Sequence, residues 1–387
     1  MVRAKRAAMA SRAPSRILVF AAAFFQFCKT LGRRAKPDIP KRVLIAHHLL
    51  LGDTLMLTPL LAKLRERFPH AEIVMTTPKA ILALYEKRPY GVKALPYDPT
   101  DARALLALFK CTDFDLALIP GDNRLSWLAL ALGAKWIVAF AGDRPAYKNW
   151  PIDEFCSYPN SPHAWGDIVA QLVPGKPPTA YNPVDWPAPD YKPFRLPSEP
   201  YCVLHVGASS PLKFWAVSKW KQLAEGLAER GFRVVWSGVR GEQNIVSAID
   251  PESRYLSYVG QLDLGQMWHL LHKACLLISP DTGIAHLGRI VNTPTITLFG
   301  PGSHILSGAG VFWRYSPYQA VTVDKFSCRN QTRIFKRDFS WIEICRRGTD
   351  KCALNKCMQA IDFETVMEFA EGMLSATEEI PVAASGA

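Results

Sequence analysis

The order of apolar and polar positions along the chain predicts strands and helices in regular alternation. The clearest unit is ISPDTGIAHLGRIVNTPTITLFGP, residues 278–301. The apolar run 275–279 predicts a buried strand. Pro280-Asp281-Thr282-Gly283 breaks it, and a helix follows through Ile284, Leu287 and Ile290. Thr293-Pro294 ends that helix, and residues 295–299 read as the next strand, stopped by Gly300-Pro301. A helix that starts on small polar residues and a glycine offers unpaired amides and the positive end of its dipole to an anion. An ordinary capped helix has the same pattern.

The rest of the chain repeats this rhythm. VLIA after Lys41 predicts a strand, HHLLLGD a turn, and residues 54–68 a helix with Leu57, Leu60, Leu61 and Leu64 on one face. Residues 71–77 form the second expected strand. Helical patterns near 78–87, 102–110 and 124–132 then alternate with strands near 92–95, 114–119 and 136–140. Nine prolines between Pro174 and Pro200 mark a linker. A second series starts at Tyr201 with the strand YCVLHV, the loop GASSPLKFWAVS and a helix over 219–230. The strand FRVVW follows, then helices over 242–249 and 262–273.

Such alternation implies parallel sheets covered on both faces. The expected fold class is α/β, with two doubly wound Rossmann-like domains facing a central cleft. The expected division is a basic amphipathic segment 1–40, a first domain 41–175 and a Pro-rich linker 176–200. A second domain 201–361 carries a Cys-rich segment 328–357, and residues 362–387 form a closing helix and tail. The closing helix is expected to pack back across the first domain. The length of 387 residues suits two cores of ordinary size.

Charge narrows the partners. A net charge of +12 calls for an acidic partner: anionic lipid, phosphorylated glycan or nucleotide. No nucleic-acid-binding signature accompanies it, so nucleic acid is set aside. Residues 1–42 hold eleven Lys/Arg and one acid, Asp38, around the apolar run ILVFAAAFFQFC. Twelve residues are too few to span a bilayer. The run ends in Cys28-Lys29-Thr30 rather than a small-residue cleavage site, which disfavours a signal peptide. The expectation is a basic anchor lying on the anionic inner face of a membrane, with the protein peripheral and cytoplasmic.

Several residues fit chemistry. Asp53 with Gly52 ends the first strand, where an Asp either caps the next helix or takes a proton from a hydroxyl. The loop 207–218 sets Lys213 among small residues, a phosphate cradle without a Walker sequence. Glu242 opens a helix at the next strand end. It reads either as an acid for ribose hydroxyls or as an acidic helix start. Cys328, Cys345, Cys352 and Cys357 are separated by sixteen, six and four residues, a tentative structural zinc or iron site without a CxxC. Reduced, packed thiols are the alternative.

Taken together, LLGDTLMLTPLLAKLRERFPHAEI (50–73), HVGASSPLKFW with SKWKQLAEGL (205–227) and PDTGIAHLGRIVNTPTITLFGP (280–301) resemble the bacterial ADP-heptose:lipopolysaccharide heptosyltransferases. The resemblance implies a GT-B fold, with the acceptor on the first domain and a nucleotide sugar on the second, ADP-heptose or, as the alternative, another nucleotide sugar, since the residues name neither the sugar nor the base. It places Asp53 on the catalytic base, and sets Ser209 and Lys213 towards the diphosphate. Glu242 falls near the ribose, and Asp281, Thr282, Gly283 and His286 meet the donor. Gly52 and His47 fall on the acceptor side, with His47 where the family usually has arginine. Phe214 and Ala216 interrupt the family's K-R-W-P pattern. The implied reaction is inverting, requires no catalytic cofactor or divalent metal, and acts on a lipid-linked anionic core oligosaccharide. KRDFSWIEIC and CMQAI are also similar to the iron-binding segment of the autotransporter-protein heptosyltransferases, which makes a protein acceptor the alternative.

Overall fold

The structure is a computed structural model that describes residues 12–30, 35–324 and 326–378. The remainder of the 1–40 segment and of the 379–387 tail lies outside the described residues. Strands β1 (Arg42–Ile45), β2 (Glu72–Thr77), β3 (Val92–Pro96), β4 (Leu116–Ile119), β5 (Trp136–Phe140) and β6 (Glu154–Cys156) form a parallel sheet in the order β3-β2-β1-β4-β5-β6. A second parallel sheet contains β7 (Tyr201–His205), β8 (Arg233–Ser237), β9 (Leu256–Ser257), β10 (Leu276–Pro280), β11 (Thr295–Phe299) and β12 (Tyr318–Thr322), ordered β12-β11-β10-β7-β8-β9. Numbered from its own first strand, each sheet has the order 3-2-1-4-5-6. The order reverses beside β1 in one and beside β7 in the other. Loops leaving the carboxyl ends at such reversals form the ligand crevices of open α/β sheets.

Helix α1 (Ala13–Thr30) precedes the first sheet, and the expected helix over 54–68 is two, α2 (Leu51–Leu55) and α3 (Thr58–Arg67). Pro59 has no N–H to return to the Leu55 carbonyl, so the helix restarts there. The Thr58 hydroxyl donates to that carbonyl instead at 2.5 Å. The expected helix near 78–87 is a 3₁₀ segment, Lys79–Tyr85. The remaining helices are α4 (Ala102–Leu108), α5 (Leu125–Ala131), α6 (Trp165–Val169), α7 (Val217–Glu229), α8 (Gln243–Ile249), α9 (Leu264–His272), α10 (Gly283–Ile290), α11 (Lys356–Gln359) and α12 (Phe363–Glu378).

The closing helix α12 corrects one expectation. Its apolar stripe of Val366, Met367, Ala370 and Leu374 is buried in the core of the second sheet, against α7 and β10–β12, and not across the first domain. That stripe complements the Leu223, Leu227 and Ile296 side chains there, so the second core takes it up. The Pro-rich linker is also packed. The Tyr181 hydroxyl donates to the Ile290 carbonyl, the Trp186 indole donates to Leu84, and both rings are buried. As a result one apolar cluster runs through both sheets on this side.

Candidate active site

Two strand–turn–helix units point their first helical turns at each other. One leaves β1 and enters α2, and the other leaves β10 and enters α10. They touch through glycines. A Cβ on Gly52 would lie 2.8 Å from His286 Cδ2, and one on Gly283 would lie 2.8 Å from the Leu51 side chain. Only hydrogen fits at either place, so the missing side chains set the approach.

This contact brings Asp53, the third residue of α2, beside Asp281 and Lys213 of the second domain. Burial, and secondarily the Asp281 charge, push the Asp53 carboxyl up to about 6, against the opposing pull of Lys213. Lys213 Nζ donates to the Asp281 carbonyl at 2.6 Å and to its carboxylate at 2.8 Å. Lys213 ends a short turn, 211–213, in which the Ser210 hydroxyl accepts from the Leu212 amide. Ser209 is exposed on the same loop. Thr282 occupies the cap position of α10 in extended conformation and makes no capping bond; its hydroxyl meets Ser279 at 3.1 Å. The opening amides of α10 therefore keep their donors for a ligand.

The structure places Glu242 in the wall of the site. Its Oε1 accepts from the Ala208 amide at 3.1 Å and its Oε2 from Val239 at 2.7 Å, so the carboxylate ties the loops after β7 and β8 together. A Cβ on Gly207 would overlap it at 1.8 Å. His47 is fully buried. Its backbone bonds Thr76 in both directions, and its Nδ1 accepts from the Leu49 amide. Burial takes its pKa down to about 3, which leaves a neutral ring whose Nε2 has no partner. It borders a cavity of about 420 Å³ shared with Arg12, Arg16 and Arg124.

His286 is buried, with its pKa well below the usual value because of burial and the adjacent Arg289 charge. Arg289, which the sequence reading missed, is itself buried. Its Nη atoms donate to the carbonyls of Gly308 and Ser307 and to His286 Nδ1, and its guanidinium lies over the rings of Trp313 and Tyr318. A guanidinium only donates, so Nδ1 accepts and the proton of the neutral ring sits on Nε2, the side near Gly52. The signal was present in the sequence: the three-residue spacing on one helix face makes the two neighbours.

A cavity of about 450 Å³ opens at Asp53, with Lys148, Phe335, Lys336 and Arg346 on its other walls. None of these four was singled out from sequence. Lys148 is buried and held by Asp122 at 2.7 Å and Asp143 at 3.0 Å.

The structure does not gather the four cysteines into one cluster among the described residues. Among the described residues no group of three or more His, Cys, Asp or Glu side chains could hold a metal ion. Cys357 is buried and lies near Cys328 and Cys345, and burial raises its thiol pKa. Cys352 sits in a turn, its amide bonded to the Gly348 carbonyl.

Two Rossmann-like domains face each other across a cleft, with Asp53 on one side and Lys213 and Asp281 on the other, which is the arrangement of the GT-B fold. Comparison with known proteins gives the family. A sequence profile described as glycosyltransferase family 9 (heptosyltransferase) matches residues 110–334, and the chain belongs to that family. It is 31% identical over 115 residues to lipopolysaccharide heptosyltransferase 1 of Pseudomonas aeruginosa, spanning 29% of this chain and about a third (32%) of that protein. It is 25% identical over 279 residues to the lipopolysaccharide core heptosyltransferase OpsX of Haemophilus influenzae, covering 68% of this chain and 80% of the relative. The fold matches Escherichia coli ADP-heptose lipopolysaccharide heptosyltransferase II with a TM-score of 0.64 at 18% identity, over 87% and 99% of the two chains. It also matches the iron-containing dodecameric glycosyltransferase TibC of enterotoxigenic E. coli, with a TM-score of 0.56 at 14% identity over 89% and 78%.

Proposed function

We propose that this enzyme transfers heptose, with inversion, from ADP-heptose to a sugar hydroxyl of the lipopolysaccharide core. The observation that carries the reading is Asp53, a carboxyl held at about 6 where an open cavity meets the anion cradle of the second domain. Such a group is ionised at neutral pH yet basic enough to accept a proton. In the proposed step, Asp53 takes the proton of the acceptor hydroxyl as its oxygen attacks the donor's anomeric carbon from the opposite face. The bond from that carbon to the β-phosphate oxygen breaks, and ADP departs with the electron pair. Lys213 and the amides opening α10 stabilise the charge that develops on the leaving group. Lys213, held by the Asp281 carboxylate in the free enzyme, is placed to meet the donor phosphate. These groups meet the leaving charge themselves, so the reaction proceeds without added divalent metal.

The acceptor is lipid-linked, and the enzyme acts at the cytoplasmic face of the inner membrane. Among the described residues no helix is long and apolar enough to cross a membrane. Helix α1 packs on α5 through Ser15 and Ala23 and exposes Ile17, Phe24 and Phe25. Phe20 stacks edge-on against Trp127, next to the exposed Trp150. Aromatic side chains beside Arg12 and Arg16 suit the interface of an anionic bilayer.

The test is transfer by purified protein from a panel of nucleotide sugars to heptose-deficient lipopolysaccharide. Transfer from ADP-heptose with a chelator present is the expected result. Transfer from another donor would correct the substrate. Transfer to a protein serine and not to lipopolysaccharide would replace this reading with the protein-acceptor one. Co-sedimentation with anionic but not neutral vesicles checks the membrane contact.

A further inference from the structure

The Cys-rich segment belongs to the second domain by chain order, yet its tip is fastened to the first. Strands β13 (Arg333–Ile334) and β14 (Arg337–Asp338) form a two-residue hairpin with Phe335 and Lys336 in the turn. Both turn residues have left-handed backbone, φ 45° and 65°, where Asn-Gly is the ordinary choice. Side chains as large as these hold such a conformation only when their surroundings fix it, and such positions gather at functional sites. The surroundings here are explicit. The Phe335 ring packs at 4.9 Å from that of Trp165 and closely against Gly121. Arg337 is buried under the hairpin. It donates to the Ala141 carbonyl at 2.6 Å, and to the Phe140 carbonyl and Asn123 Oδ1 at 2.9 Å, at or just beyond the carboxyl ends of β4 and β5. A small core of Ile334, Phe339, Ile342 and Ile344 keeps the segment in shape.

This places the hairpin over the cavity whose floor holds Asp53. The charges in that cavity are unequal. Lys148 is neutralised by Asp122 and Asp143. Lys336 and Arg346 are both exposed and, among the described residues, form no ion pair. Asp53 lies opposite, with Asp281 and Lys213 behind it on the donor side. Two unpaired cations lining one cavity favour an anionic ligand.

We propose that the segment 331–346 is the roof of the acceptor site, with Lys336 and Arg346 binding an anionic group of the acceptor opposite Asp53 and Arg337 holding the roof to the first domain. The proposal rests on the reading of the cavity at Asp53 as the acceptor side. The anionic group is a phosphate or a sugar carboxylate, and both chemistries satisfy the two cations. Arg346 binds either one in bidentate fashion, while Lys336 acts as a point charge.

The experiment measures binding separately from turnover. The probe is deacylated, heptose-deficient lipopolysaccharide, which removes any contribution of α1 to membrane attachment. Its affinity for the full-length protein is measured by calorimetry beside that of ADP, with transfer assayed in parallel. The expected result for K336Q/R346Q is at least a tenfold loss of affinity for the oligosaccharide, with ADP affinity at the wild-type value. Repeating the titration with phosphatase-treated and with carboxyl-reduced probe identifies the group: the form on which wild type and variant bind equally has lost it. Equal affinity of variant and wild type for the intact probe overturns the proposal, as does failure of the wild type to bind it. Wild-type binding that is lost in the variant supports the roof even if no heptose is transferred, in which case the transfer reading alone fails.

Discussion

Asp53→Asn should slow turnover by orders of magnitude and stabilise the protein at the same time. The Asp53 carboxyl moves from 3.8 in the open chain to about 6 in the fold, chiefly through burial. A raised acid is favoured by folding in its protonated form. Its contribution to stability is therefore complete below 3.8 and lost as the pH rises through about 6. Above both values, ionising it inside the fold costs about 3 kcal/mol, at ~1.4 kcal/mol per tenfold change in proton affinity. Asparagine keeps the shape and removes that cost. Thermal unfolding at pH 8 should show the Asp53→Asn protein melting a few degrees above wild type, and the gap should close by pH 4. The same titration governs catalysis, so wild-type kcat/KM should climb with pH and level off above about 6. The asparagine variant should lose roughly 10²–10⁴-fold in activity, the usual worth of a general base. Equal or lower stability of the variant at pH 8 would refute the claim that burial strains this carboxylate. Near-wild-type activity would refute its role as base.

Other substitutions probe the parts around it. Lys213→Gln should raise donor KM at least tenfold and move the acid limb of the rate profile to higher pH, since Lys213 now holds the Asp53 pKa down; an unmoved limb would count against their coupling. Gly52→Ala places a methyl 2.8 Å from His286 Cδ2 and should cut kcat about tenfold or more while circular dichroism stays unchanged. Glu242→Ala strips the partner from two loop amides and should lower stability by about 1–3 kcal/mol in denaturant titration. Dialysis against a chelator should leave initial transfer rates within twofold of untreated enzyme.

The parts legible in the sequence are those in which neighbours in space are also neighbours in the chain. The units around Asp53 and Asp281 each fit in about twenty-five residues of strand, turn and helix, so their periodicity and breakers locate them. The split at Pro59 was in principle readable as well, since a proline inside a helical pattern restarts it. Arg337 is a different case. It bonds to Asn123 across 214 positions, and nothing local in KRDFSWIEIC says that this arginine points into the other domain. The same holds for the linker. Its prolines suggest a spacer, but Tyr181 and Trp186 find carbonyls and apolar walls only once both sheets stand in place. The cysteines are a related case: separations in sequence did not reveal that Cys357 is buried beside a packed core.

These long-range contacts bear directly on the chemistry. Asp53 has its raised pKa mainly through burial, and the charged groups that act on it across the cleft, Asp281 and Lys213, belong to the second domain. Three joints hold that domain close: the Gly52 and Gly283 contacts in the cleft, the aromatic linker behind it, and the Arg337 hairpin in front. A larger residue at either glycine, or a linker without its aromatic anchors, would leave every atom of the carboxylate unchanged and still return it towards an ordinary acid, a weaker base in water. The basicity of Asp53 is therefore a property of the domain interface, and residues far from the reacting atoms help to set it.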